Sequence, residues 1–103
     1  MENYNLMADL KVAAIRALAF ADLDDTGTCN FDTPWLFVEE PLTEEDLIDI
    51  NDKLGCYEVE EKCYAIGYKI LNGQAYRRTK MAEEFVDALR KLGYVAYVHY
   101  RID

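Results

Sequence analysis

The chain has 103 residues and is 51% hydrophobic, with eight tyrosines, four phenylalanines and one tryptophan, which fits one folded domain over residues 1–103 and excludes a disordered chain. It contains no run of about 20 apolar residues and no basic signal-peptide start, so we expect a soluble, cytoplasmic protein without membrane contact. A formal net charge of −9 disfavours direct binding of nucleic acid.

Hydrophobic periodicity predicts the elements of the first half of the chain. Apolar residues at helical spacing predict a helix over residues 6–21. A short aromatic and β-branched run predicts a strand at 35–38. Thr43 as an N-cap, acids in the first turn and Gly55 as the stop predict a second helix over residues 43–54.

The second half adds strands and one more helix. Alternation over residues 57–71 predicts one long strand or a hairpin bent near 60–62. A third helix is predicted at 77–92 and a last strand at 94–102. The order α-β-α-β(β)-α-β predicts an α+β fold, a two-layer sandwich of three helices on a three- or four-stranded mixed sheet with a parallel crossover through the last helix. We expect these residues to face inward: Leu6, Leu10, Ala14, Ala17, Leu18 and Ala21; Leu47, Ile50 and Leu54; Met81, Phe85, Ala88, Leu89 and Leu92.

An acidic string follows the first helix. Asp22-Leu23-Asp24-Asp25-Thr26 resembles the nucleophile motif of haloacid-dehalogenase-type phosphatases, in which two aspartates hold magnesium and act as nucleophile and acid/base. The segment before it is predicted as helix rather than strand, and the later lysine and acidic pair are not evident. The string also partly matches a calcium-binding loop, but the twelfth position, where such a loop has a bidentate glutamate, is Thr33. We expect no catalytic residue, and a metal-binding or phosphatase-like protein centred on Asp22 and Asp24 is the alternative function.

The cysteines and the histidine do not form a metal pattern. Cys29, Cys56 and Cys63 are an odd number without a C-x-x-C spacing, and His99 is the single histidine. We therefore expect no metal, no cofactor and reduced thiols, while a bridge between Cys56 and Cys63 stays open.

Residues 22–61 hold fourteen acids against one base, Lys53. Glu45, Asp49 and Asp52 recur on one stripe of the second predicted helix, and this acidic row can steer a partner at long range or remain a solvated helix face. Glu39 and Glu40 precede it. The predicted partner-binding residues are Glu39, Glu40, Glu45, Asp49 and Asp52.

Basic residues open the third predicted helix. Arg77, Arg78 and Lys80 are placed to meet an anion together with free backbone amides. The competing interpretation is that they pair with acids of the same chain.

The chain contains two blocks, GTCNFDTP at 27–34 and GQAYRRTKMAE at 73–83, together with Gly93-Tyr94 and a terminal Asp103. Through them it resembles a family of small proteins encoded by bacteriophages and prophages. The resemblance covers most of the chain after Ala21 in separate blocks and excludes the acidic segment 39–61. It assigns no activity to any residue. It implies an accessory protein acting in the bacterial host cytoplasm, where such proteins often bind and block host machinery.

Charge and resemblance together predict a non-enzymatic protein-binding module. The hypothesis is an inhibitor of a host defence system of the anti-CRISPR kind, whose acidic row mimics nucleic acid and binds a bacterial nucleic-acid-binding defence protein. A homodimer through the tyrosine-rich sheet edge is a third, structural hypothesis.

Overall fold

The computed structural model describes residues 6–20, 32–71 and 75–100. In chain order, its elements are α1 (Leu6–Leu18), β1 (Thr33–Phe37), α2 (Glu44–Lys53), β2 (Cys56–Glu60), β3 (Cys63–Ile66), α3 (Ala75–Lys91) and β4 (Val95–His99). The predicted α-β-α-β(β)-α-β order is confirmed, and so is the α+β fold class.

Local signals set the two ends of α2. The hydroxyl oxygen of Thr43 accepts a hydrogen bond from the backbone N–H of Asp46 at 3.1 Å, and three acids fill the first turn, where the helix dipole favours negative charge. At the other end, Gly55 has a φ of 89° and donates its N–H to the Ile50 carbonyl at 3.2 Å. Because side chains disfavour this left-handed conformation, glycine ends the helix.

The segment 57–71 contains a hairpin rather than one long strand. β2 and β3 pair antiparallel around a turn at Glu61 and Lys62. β3 ends at Ile66, so Tyr68 and Ile70, which the alternation placed on the strand, lie in a turn instead. Backbone hydrogen bonds of 2.9 Å, from Gly67 N–H to the Gly55 carbonyl and from Lys69 N–H to the Leu54 carbonyl, hold this turn beside the end of α2.

The four strands form one sheet in the order β2-β3-β1-β4. The predicted mixed sheet is antiparallel at every neighbouring pair. The parallel relation instead joins strands that are not neighbours: β3 and β4 run the same way with β1 between them, and β1 and β2 do so around β3. From β1 onward, the chain therefore follows the split β-α-β arrangement of ferredoxin-like folds.

The helices cover one face of this sheet and enclose the core with it. Leu36, Ile66 and Ala96 from the strands belong to the same buried cluster as the helix residues. Phe85 and Leu89, predicted as core, are fully buried. α1 packs chiefly against α3. Among residues 6–20, 32–71 and 75–100, no helix packs on the second face of the sheet.

Two residues predicted to face inward are exposed, namely Leu18 and Leu92. Leu18 follows the buried Ala17 by about 100° of helix rotation, which turns it away from α3. Leu92 lies just beyond the last residue of α3, where the helix no longer covers the sheet. Ala21 lies outside the described residues.

Candidate functional site

The acidic row of α2 surrounds an exposed isoleucine. Ile48 has 62% of its surface in water. Glu45 precedes it by three residues, Asp49 follows it directly and Asp52 follows it by four, and all three are exposed on the same side of the helix. Together with Asp46 they line a shallow surface depression of about 510 Å³. The structure thus brings together three of the five predicted partner-binding residues around an apolar centre, which the charge pattern alone did not indicate. We call Glu45, Ile48, Asp49 and Asp52 the α2 patch.

The α2 patch keeps an excess of negative charge. Among the residues of α2, five are acidic and one, Lys53, is basic. The Lys53 ammonium lies 3.1 Å from the Asp49 carboxylate, and both side chains are about half exposed. A surface pair of this kind is weak because water and salt screen it, so Asp49 stays available to a competing cation.

Glu39 and Glu40 lie elsewhere. They follow β1, where the Val38 N–H donates to the Lys62 carbonyl at 3.0 Å and holds this segment beside the turn between β2 and β3. Glu60, the last residue of β2, and Glu61, in the turn, are also acidic, and Lys62 follows them. Glu39 and Glu40 therefore follow the end of β1 beside the hairpin turn, and they do not line the α2 depression.

The basic start of α3 is tied to the residue that precedes β1. Asp32 is 2% exposed, accepts a hydrogen bond from the Thr79 hydroxyl at 2.5 Å and, through its carbonyl oxygen, one from the Arg78 Nε at 3.0 Å. Burial lowers the pKa of Arg78, and the neighbouring Asp32 partly opposes this shift. The bond from Thr79 to Asp32 therefore joins the start of α3 to the residue before β1, which lies 47 positions away in the chain.

The remaining basic residues of this start have different surroundings. The Lys80 ammonium lies 3.4 Å from the Glu84 carboxylate and 5.1 Å from the centre of the Phe20 ring. Arg77, which precedes Arg78 in the chain, is half-buried. Arg78 and Lys80 are therefore engaged by groups of the chain, and this weakens the case for an anion site at Arg77, Arg78 and Lys80.

The face of the sheet opposite the helices carries a layer of aromatic rings. The Trp35 and His99 rings stack with centroids 4.2 Å apart and an interplanar angle of 10°. The Phe37 and Tyr97 centroids are 5.0 Å apart. Trp35 lies across from the small, fully buried Ala65 of β3, which is its register partner. The rings thus shield an antiparallel face that would otherwise meet water directly.

The two described cysteines, Cys56 and Cys63, are free and buried. Cys56 pairs with Ile66 and faces the helices, whereas Cys63 pairs with Phe37 and faces the aromatic layer. Burial raises the pKa of the Cys56 thiol to about 12. Burial, and then the Glu60 carboxylate, raise the pKa of Cys63. Both thiols therefore stay protonated near neutral pH and are poor nucleophiles.

The acidic string at Asp22 and Asp24 lies outside the described residues, and so does Cys29. Within residues 6–20, 32–71 and 75–100, no group of three or more His, Cys, Asp or Glu side chains is arranged to hold a metal ion. Among the helices of the same residues, none combines the length and apolar composition that a bilayer crossing requires.

The fold is an α+β domain, and its second helix, α2, presents acidic side chains around an exposed isoleucine. Comparison with protein-family models, with curated proteins and with solved structures gives no match to this chain.

Proposed function

We propose that this protein is a non-enzymatic protein-binding module and that it binds its partner through the α2 patch. The observation that carries the proposal is Ile48, a 62% exposed isoleucine with Glu45, Asp49 and Asp52 around it. An apolar centre within a charged rim is the usual anatomy of a protein contact site.

The chemistry of the α2 patch defines the partner surface that fits it. Lysine or arginine side chains of the partner would pair with the acidic rim, which is Glu45, Asp49 and Asp52. A small apolar recess between them would accept Ile48. Because exposed charges act over about 8 Å at physiological salt, the rim raises the association rate, while desolvation of Ile48 lengthens the lifetime of the complex.

The phage resemblance supplies the setting of the proposal. If the resemblance holds, it implies action in the cytoplasm of a bacterial host, and we infer from the acidic charge that the partner is a nucleic-acid-binding defence protein. Such a partner presents basic side chains where it holds phosphates, and an acidic helix can occupy that surface in place of nucleic acid. Inhibition of host defence, of the anti-CRISPR kind, follows from this occupation.

The first test compares two variants that change the net charge equally. One carries Glu45→Lys, Asp49→Lys and Asp52→Lys, and the other carries three charge reversals on the β2 hairpin, Glu58→Lys, Glu60→Lys and Glu61→Lys. Immobilised protein is exposed to a bacterial lysate at about 0.05 M NaCl, and the retained proteins are quantified by mass spectrometry. We expect the wild type and the hairpin variant to retain similar amounts of partner. The α2 variant should retain at least about tenfold less, since its lysines repel basic groups of the partner.

The role of Ile48 is tested separately by Ile48→Ser, which keeps every charge. In a surface-binding measurement we expect an unchanged association rate constant and a larger dissociation rate constant, since only the apolar contact is lost. Normal capture by the α2 charge variant at both low and high salt would contradict the proposal. So would magnesium-dependent hydrolysis of a phosphate ester that Asp22→Asn abolishes, because that result would make the protein an enzyme.

A further inference from the structure

α1 is apolar on both of its sides. Its inner side lies in the core against α3. A surface helix of a globular domain ordinarily turns a polar side to water, and a helix that is apolar all round is ordinarily covered. The buried residues of the inner side are Leu6, Leu10, Ala13, Ala14 and Ala17.

The outer side presents a row made of Ala8, Val12, Ile15 and Ala19, all of them exposed. Ile15 has 71% of its surface in water and Val12 has 53%. Alternate steps of four and three residues keep the row on one stripe, which is the spacing of helices that pack side by side. Ala19 follows the last residue of α1, but its N–H still donates to the Ile15 carbonyl at 3.2 Å, which keeps it on the helical surface.

The outer row is symmetrical about its centre, because two large side chains lie between two alanines. In an antiparallel pair of such helices, Val12 of one copy meets Ile15 of the other, and Ala8 meets Ala19. A surface that complements itself in this way is what a two-fold dimer requires. We propose that the outer row of α1 binds the outer row of a second copy of this chain as an antiparallel helix pair.

The charges of α1 favour a second copy at this place. α1 carries one acid and two bases in a chain whose net charge is −9. The acid, Asp9, accepts a hydrogen bond from the Tyr94 hydroxyl, and Arg16 lies 3.0 Å from Glu84. Two copies that meet at α1 therefore avoid the repulsion that contact through α2 would produce.

The size of the row sets the strength of the pair. α1 has 13 residues and is about 20 Å long, so a contact one helix wide lies far below the roughly 800 Å² per partner of a standard interface. We expect a weak, reversible dimer. Salt should strengthen it by screening the repulsion between two acidic copies, whereas salt should weaken capture through the α2 patch. The inference does not rest on the proposed function, and this opposite salt dependence keeps the two distinguishable.

Sedimentation velocity of the full chain from about 10 µM to about 1 mM tests the dimer. We expect the mean sedimentation coefficient to rise with concentration and to rise further with added NaCl. Ile15→Ser should weaken association at least about tenfold, since it removes the most exposed apolar side chain of the row. Ile48→Ser, the same change at a comparably exposed position on α2, should leave association unchanged. A monomeric wild type over the whole range, or equal weakening by both variants, would overturn the proposal.

Disulfide cross-linking tests the antiparallel arrangement. In a mixture of Val12→Cys and Ile15→Cys proteins, the mixed disulfide should form faster than either homodimer, because positions 12 and 15 face each other across the pair. A preferred Ile15→Cys homodimer would overturn the antiparallel arrangement. If Ile15→Ser instead lowers the Tm at low concentration without changing sedimentation, the row is covered within one copy and the proposal fails.

Discussion

At Gly67, a single hydrogen atom in place of a side chain keeps the core intact. Its φ is 80°, and a Cβ built there would lie 2.9 Å from Cζ of the fully buried Phe85. Gly67→Ala therefore meets both backbone strain and a clash with the buried Phe85 ring. We expect it to lower the free energy of unfolding by at least about 2 kcal/mol in urea denaturation.

Gly93 offers a matched control for this substitution. Its φ is 98°, but a Cβ there would have nothing within 4 Å. Gly93→Ala thus measures the strain without the clash and should cost about 1 kcal/mol less than Gly67→Ala. Equal costs at the two positions would show that Phe85 moves aside freely, contrary to its close packing.

At the scale of elements, a phenol ties α1 to the chain that follows α3. The Tyr94 hydroxyl donates to the Asp9 carboxylate at 2.5 Å. Burial, and then this hydrogen bond, raise the pKa of Tyr94 above its ordinary value. The folded state therefore holds the phenol proton more tightly than the unfolded chain, so this stabilisation is complete below about pH 10 and is lost as the pH rises beyond it.

The prediction is a fall in the free energy of unfolding between about pH 9.5 and pH 11.5 that is steeper for the wild type than for Tyr94→Phe. The variant itself should lose about 1 kcal/mol at pH 7, where it removes one hydrogen bond to a carboxylate. Cys56 contributes a fall of the same sign in both proteins, because burial raises its pKa too. Parallel curves for the two proteins would show that the Tyr94 proton does not stabilise the docking of α1.

At the scale of the whole molecule, unbalanced charge opposes folding. The chain has twenty acidic and eleven basic residues, and its excess negative charges repel one another more when the chain is compact than when it is extended. Raising NaCl from about 0.05 M to about 0.5 M should increase the free energy of unfolding by on the order of 1 kcal/mol, measured in urea because guanidinium is itself a salt. The variant with lysines at positions 45, 49 and 52 should respond less. An equal or larger response would place the destabilising repulsion away from α2.

The sequence predicted the elements well where local physics fixes them. Thr43 and Gly55 satisfy free backbone groups at the ends of α2 through hydrogen bonds to residues of the same helix. The acidic row was predictable for the same reason, because helical period alone places Glu45, Asp49 and Asp52 together. The exposure of Ile48 was not, since periodicity does not state which neighbours cover a side.

Contacts between distant parts of the chain were decided only by the tertiary structure. β1 inserts between β3 and β4, which no local signal specifies, and this insertion moves Glu39 and Glu40 to the hairpin turn rather than to the α2 depression. The bond from Thr79 to Asp32 spans 47 positions. α1 illustrates the limit most clearly: its sequence is apolar on two sides, and only its packing on α3 shows that the side carrying Ile15 is exposed, because burial depends on what lies opposite a side chain rather than on the side chain itself.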